Sequence, residues 1–136
     1  GNIAIYNIRS ADLKPILESK DHDNKHSDIV WEVKWVTKQS KVETLVSVSG
    51  DGRIIEWSMK KGLEQLDLMQ LKRETNPNHQ VYAGAETEKK GGGMTFINTG
   101  GLSIDFPPND SSTSYFVATE DCSVHKCSTS YSEQYL

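Results

Sequence analysis

A chain of 136 residues is long enough for one modest domain and too short for most multi-domain arrangements. Hydrophobic residues make up 35% and charged residues 25%, so the apolar core is thin for the length. A net charge of -4 with no long basic run excludes the clustered Lys and Arg that a nucleic-acid or anionic-membrane surface needs, which leaves proteins as the expected partners.

No apolar stretch reaches the roughly 18 residues of a spanning helix, and the first residues are not a charged-then-apolar leader, so the chain is expected to be soluble. Cys122 and Cys127 are too few for a disulfide framework, and a reducing, cytosolic setting is expected.

Helical periodicity is nearly absent, and short apolar runs bounded by Gly, Asp, Asn and Ser predict an all-β fold. In chain order the runs are Ile3 to Ile8, Ile29 to Val36, Thr44 to Val48, Arg53 to Met59, Leu66 to Leu71, Leu102 to Phe106, Tyr115 to Thr119 and Ser123 to Ser128. Gly50-Asp51-Gly52 supplies the positive-φ residues of a tight hairpin between the third and fourth. Glu120-Asp121-Cys122 takes the same place between the last two without glycines, which predicts a looser or differently typed turn. Thr75 to Gly93, rich in Asn, Gly, Glu and Lys, has the composition of a loop. Its Lys89-Lys90 before Gly91-Gly92-Gly93 is in the wrong order for a phosphate-binding loop.

The runs repeat. Leu45 to Ser58 (LVSVSGDGRIIEWS) lies over Tyr115 to Ser128 (YFVATEDCSVHKCS), so that Ser49 meets Thr119, Asp51 meets Asp121 and Trp57 meets Cys127. Gly1 to Asn7 (GNIAIYN) lies over Gly52 to Ser58, with Tyr6 on Trp57, so the chain is expected to open inside a repeat. The spacing is 51 residues from Tyr6 to Trp57 and 70 from Trp57 to Cys127, and the Thr75 to Gly93 segment absorbs the difference.

Upstream of the hairpin, Lys25 to Trp35 (KHSDIVWEVKW) resembles the strand that opens a WD40 blade, with His26, Val30, Val33 and Trp35 in the positions of that pattern. With Ser47, Ser49, Asp51 and Trp57 the match is that of a four-stranded WD repeat. The resemblance implies that His26, Ser47 or Ser49, Asp51 and Trp57 hydrogen-bond in series and lock the blade. Each buried polar group that finds a partner avoids a cost of about 1–3 kcal/mol. The other copies depart from the pattern: Cys127 replaces Trp57, Ile97 stands at the place of His26, and Tyr6 replaces the first tryptophan.

Residues 25–35, 49–57 and 118–136 are similar, in this order, to parts of the axonemal outer-arm dynein intermediate chains. The resemblance implies about two to two and a half four-stranded blades of a seven-bladed propeller. Residues 1–21 would end one blade, 22–74 complete the next, 75–95 form an insertion, and 96–136 give most of a degenerate blade. It further implies a non-catalytic scaffold that binds a dynein heavy-chain tail and helps dock the motor on ciliary doublet microtubules. That scaffold would lie beside a second intermediate chain and other dynein subunits, in the cytoplasm, the cytoskeleton and the ciliary axoneme. The alternative is a generic WD40 adaptor that recognises a peptide or protein partner, and a propeller enzyme ranks last.

No constellation of side chains has the look of an active site, and no cofactor is expected. His22 and His26, with Asp21, Asp23 and Asp28, face one side only on a helix, whereas the stretch is polar enough to be a loop; no metal is expected there, and His22 reads as solvated. Cys122 and Cys127 are not a Cys-x-x-Cys pair, and Cys127 reads as apolar filler. His125 is expected to face another blade or solvent. Asn109-Asp110-Ser111 matches a glycosylation sequon but reads as a polar turn, and Glu86 and Glu88 as solvated carboxylates. Trp31, Trp35 and Trp57 are the heaviest expected core anchors. Lys38, Lys41, Lys60 and Lys61 are the candidate partner-facing residues, with a plain solvated surface as the stronger reading of them.

Overall fold

A computed structural model describes residues 1–38, 42–60, 62–73, 98–108 and 113–130. Lys41, Lys61, the whole of the 75–95 insertion, Ile97 and the Asn109 sequon lie outside them. The described residues are all-β, with three antiparallel sheets and no helix, the layout of a partial β-propeller. The first sheet is β1 (Ala4–Ile5) with β2 (Leu17–Glu18). The second is a four-stranded meander of β3 (Val30–Thr37), β4 (Glu43–Ser49), β5 (Arg53–Ser58) and β6 (Glu64–Gln70). The third is β7 (Gly101–Asp105), β8 (Ser114–Thr119) and β9 (Val124–Ser128).

Strand alternation decides what each face of the central sheet meets. Leu45, Ile55 and Trp57 point to one side and form a cluster with Ile3, just before β1, and with Ile5 and Leu17 of the first sheet. Val46, Val48 and Ile54 point to the other and pack with Ile104, Tyr115, Val117 and Cys127 of the third. β4 is therefore buried on both faces, from Thr44 to Ser49. Gly101 makes the closest approach between these layers, where a Cβ would collide with the Val48 side chain.

Trp57 is fully buried, but Trp31 and Trp35 are 55% and 53% exposed, contrary to their expected place in the core. They sit on β3, an edge strand whose Trp35 and Val33 face is not covered among the described residues. Apolar content alone does not say which face of an edge strand meets a neighbour.

The two hairpin turns have the same geometry, which corrects the expectation of a looser second turn. Gly52 N–H donates to Ser49 C=O at 3.1 Å with φ 78°, and Cys122 N–H donates to Thr119 C=O at 3.1 Å with φ 64°. An L-residue in the left-handed region costs about 1–2 kcal/mol, and glycine avoids that at a smaller entropic cost. Cys122→Gly is expected to stabilise the protein by about 0.5–1 kcal/mol, read as a higher urea midpoint. An unchanged midpoint would show that the turn stores no strain.

The repeated sheets fill their cores by exchanging bulk between paired positions. Leu45 lies across from Trp57, and at the equivalent place Tyr115 lies across from Cys127. Tyr115 is fully buried, lies tilted against Phe106 at 5.3 Å between ring centroids, and puts a large ring where the central sheet has Leu45. Cys127→Trp alone is expected to overpack the third sheet at a cost of about 1–3 kcal/mol, and adding Tyr115→Leu is expected to recover part of it. A double-mutant cycle in thermal unfolding measures the coupling, and strict additivity would refute the exchange.

Candidate functional site: a buried relay in the central sheet

The most developed polar constellation lies where the loop before β3 meets the β4–β5 hairpin. His26 is 1% exposed. Its Nδ1 lies 3.0 Å from Asp51 Oδ2, its Nε2 lies 2.7 Å from Ser47 Oγ, and Trp57 Nε1–H donates to the same hydroxyl oxygen at 2.8 Å. Asp51 can only accept, so its partner Nδ1 carries the proton. In the neutral imidazole Nε2 then accepts from the Ser47 hydroxyl, and the series runs unbroken from indole to carboxylate. Ser47, at the centre of the series, is fully buried.

Of the two serines left open by the sequence, Ser47 is in the relay. Ser49 serves the turn, where its hydroxyl accepts from Asp51 N–H at 3.3 Å. Asp51 also accepts from the backbone N–H groups of Ser27 and Arg53, each at 2.9 Å. Burial works against its ionisation, but the His26 hydrogen bond and these two N–H groups outweigh it and hold the carboxyl at about 2.

Two residues that the sequence does not mark for such a role support the relay. Arg53 donates to the carbonyls of Asn24 and Lys25 at 2.9 and 3.2 Å and pairs with Asp67 at 2.6 Å, which ties down the loop that carries His26. His22, expected to be solvated, is half-buried with its ring edge-on to Trp57 at 6.3 Å. An arginine at the start of a strand has no local signal for this role, because its carbonyl partners lie 28 and 29 residues away.

The third sheet retains only the turn end of the device. Thr119 hydroxyl donates to Asp121, while Val117 stands where Ser47 does and Cys127 where Trp57 does. The Cys127 thiol is pushed up to about 11 by burial, so it stays protonated at neutral pH and is a poor nucleophile. His125 is 5% exposed and lies across from Val117, on the side that packs against the central sheet.

Between the central and third sheets, Glu32 accepts from the Ser103 hydroxyl at 2.6 Å and from Ile104 N–H at 2.8 Å. Burial opposes its ionisation, but these donors and Lys34 bring its pKa below the usual value. Lys34 meets Asp105 at 2.7 Å. Of the candidate partner-facing lysines, Lys38 pairs at 2.7 Å with the buried carboxylate of Glu56, and Lys60 is exposed. The structure does not bring these two lysines to the relay. Among the described residues no group of three or more His, Cys, Asp or Glu is placed to hold a metal ion, and no helix is long and apolar enough to cross a membrane.

What the arrangement can do chemically is hold a loop, two strands and a turn in one geometry. Every member is committed to an internal partner.

No protein-family model matches the chain. It is 42% identical over 142 aligned residues to dynein axonemal intermediate chain 4 of Xenopus laevis, and 42% identical to that of Homo sapiens; each alignment takes in 100% of this chain, and 19% and 16% of those proteins. Dynein axonemal intermediate chain 1 of Mus musculus is 36% identical over 139 residues, again across 100% of this chain and 18% of that protein. The chain thus spans less than a fifth of these relatives' length. Along its whole 136 residues it is homologous to one segment of the axonemal dynein intermediate chains, and to that family it belongs.

Proposed function

We propose that this chain is a scaffold segment of an axonemal dynein intermediate chain. In this reading residues 1–21, 22–74 and 96–136 are parts of three successive blades, and the intact propeller holds the tail of a dynein heavy chain in an outer arm. It has no catalytic role. Its partners are the heavy chain, a second intermediate chain and the other subunits that dock the motor on the doublet microtubule, and its place is the ciliary axoneme. The observation that carries the reading is 42% and 36% identity, along the whole of this chain, to segments of intermediate chains 4 and 1. A blade whose most developed polar constellation, His26, Asp51, Ser47 and Trp57, is spent on internal hydrogen bonds suits a scaffold better than an enzyme.

The test is immunoprecipitation of the tagged full-length protein from a ciliated cell, with dynein heavy chains quantified by mass spectrometry. Enrichment of an axonemal heavy chain, and its loss from cilia when the protein is depleted, is the expected result. Recovery with no dynein subunit, in cells whose arms stay intact, would overturn it.

A further inference from the structure

The third sheet lacks the means by which the central sheet holds itself. Val117 stands at the place of Ser47 and Cys127 at that of Trp57, so the relay cannot form there, and only the Thr119 to Asp121 link of the turn is kept. Yet β7, β8 and β9 form a regular sheet in register. Apolar contact with Val36, Val46 and Val48 holds this sheet against the central one. Such contact is non-directional and does not set how one sheet is aligned along the other.

Directional contacts come from β3. Glu32 lies across from Val48 and Lys34 across from Val46, so both point toward the third sheet. One carboxylate oxygen of Glu32 accepts from the Ser103 hydroxyl at 2.6 Å and from Ile104 N–H at 2.8 Å. Among the described residues β7 pairs only with β8, so alternate N–H groups along it point away from its own sheet. Glu32 caps one of these. Lys34 Nζ lies 2.7 Å from Asp105 and 3.7 Å from Glu32, which joins the two contacts through one cation. The contacts run in step along the two strands, Glu32 with Ser103 and Lys34 with Asp105. Asp105 is exposed, so its pair with Lys34 adds little stability. Its sign matters more, because a slide of two residues would bring Asp105 against Glu32.

The arrangement does not recur on β7. Ser103 lies across from Ala118 as Glu32 lies across from Val48, and Asp105 across from Phe116 as Lys34 lies across from Val46. A serine hydroxyl is too short for the reach of a glutamate, and Asp105 reverses the charge of Lys34. The clasp therefore belongs to this pair of sheets and not to the repeat.

We propose that Glu32 is a positioning residue for the third sheet: its carboxylate secures from outside a sheet that has no internal relay, and β7 to β9 open as a unit when it is removed. Lys34 sets the register of the clasp through Asp105. The inference rests on contacts within the chain and not on the dynein assignment.

Hydrogen exchange of the full-length protein, read peptide by peptide in mass spectrometry, tests it. Glu32→Ala is expected to speed exchange several-fold in β8 and β9 and to leave β4 and β5 at their native rates. Asp51→Asn is expected to do the reverse, because it weakens the relay inside the central sheet. Glu32→Gln keeps an acceptor oxygen and is expected to lie between the native protein and Glu32→Ala. Lys34→Asp is expected to speed the same third-sheet peptides, and adding Asp105→Lys to slow them again. Unchanged exchange of β8 and β9 in Glu32→Ala would overturn the proposal. So would equal acceleration of both sheets, the mark of a general loss of stability. A double variant no slower than Lys34→Asp alone would overturn the register role of Lys34.

Discussion

Trp57→Ala is expected to unfold the central sheet. The indole is fully buried between the first and second sheets and donates its N–H to Ser47. Truncating a buried aromatic of this size costs about 3–5 kcal/mol. That is a large share of the roughly 5–15 kcal/mol that holds an ordinary domain together. Chemical denaturation followed by circular dichroism reads the effect, with Trp31→Ala as the comparison. Trp31 is more than half exposed and is expected to shift stability by no more than about 0.5 kcal/mol. An unchanged midpoint for Trp57→Ala, with partner binding lost, would show that the side chain is a contact residue and not a core residue.

The second large effect is expected at Asp51. Asp51→Ala removes the acceptor of His26 Nδ1–H and of the Ser27 and Arg53 N–H groups, and with it the link between the loop before β3 and the β4–β5 turn. A buried donor left without its acceptor costs about 1–3 kcal/mol, and here the fully buried His26 and two backbone N–H groups lose theirs together. The equivalent change in the third sheet, Asp121→Ala, loses the link to Thr119 and is expected to cost about 1 kcal/mol. The contrast between the two sites is the measurement, and equal losses would deny the relay its role.

Asp51 also fixes the direction of the pH dependence. Its folded-state value of about 2 lies below the ordinary 3.8, so the carboxylate's contribution is complete above 3.8 and is lost as pH falls from there through about 2. The melting temperature of the native protein is expected to drop across that window, and Asp51→Asn to flatten the drop. Glu32 and Asp105 also sit below their usual values, Asp105 through Lys34, so a residual slope is expected in the variant. Parallel curves for the two proteins would remove Asp51 as its source.

Most of the strands were legible in the sequence because the cue is local. Val30–Thr37, Arg53–Ser58 and Val124–Ser128 alternate or run apolar between turn formers, and each forms a strand within a residue or two of its run. β2 was not read. Its two residues, Leu17 and Glu18, lie in a polar stretch, and they form a strand because β1 offers them a partner. Ser47 and Ser49 are two positions apart on one strand, and alternation alone puts both hydroxyls on one face. The choice of Ser47 for the relay depends on where His26 and Trp57 arrive from other strands.

The sequence by itself determined the all-β class, the repeat of the Leu45 to Ser58 pattern at Tyr115 to Ser128, the glycine hairpin at Gly50 to Gly52, and the kinship with dynein intermediate chains. All of these reside in residue order, turn chemistry and period. Only the tertiary structure decided that Trp57 is buried while Trp31 and Trp35 are not, that Ser47 and not Ser49 joins His26, that Cys122 adopts the turn of a glycine, and that Tyr115 supplies the bulk that Cys127 lacks. Each of those outcomes depends on what a second sheet or strand brings to the far side of a residue, and a strand's own sequence carries no record of its neighbour's face.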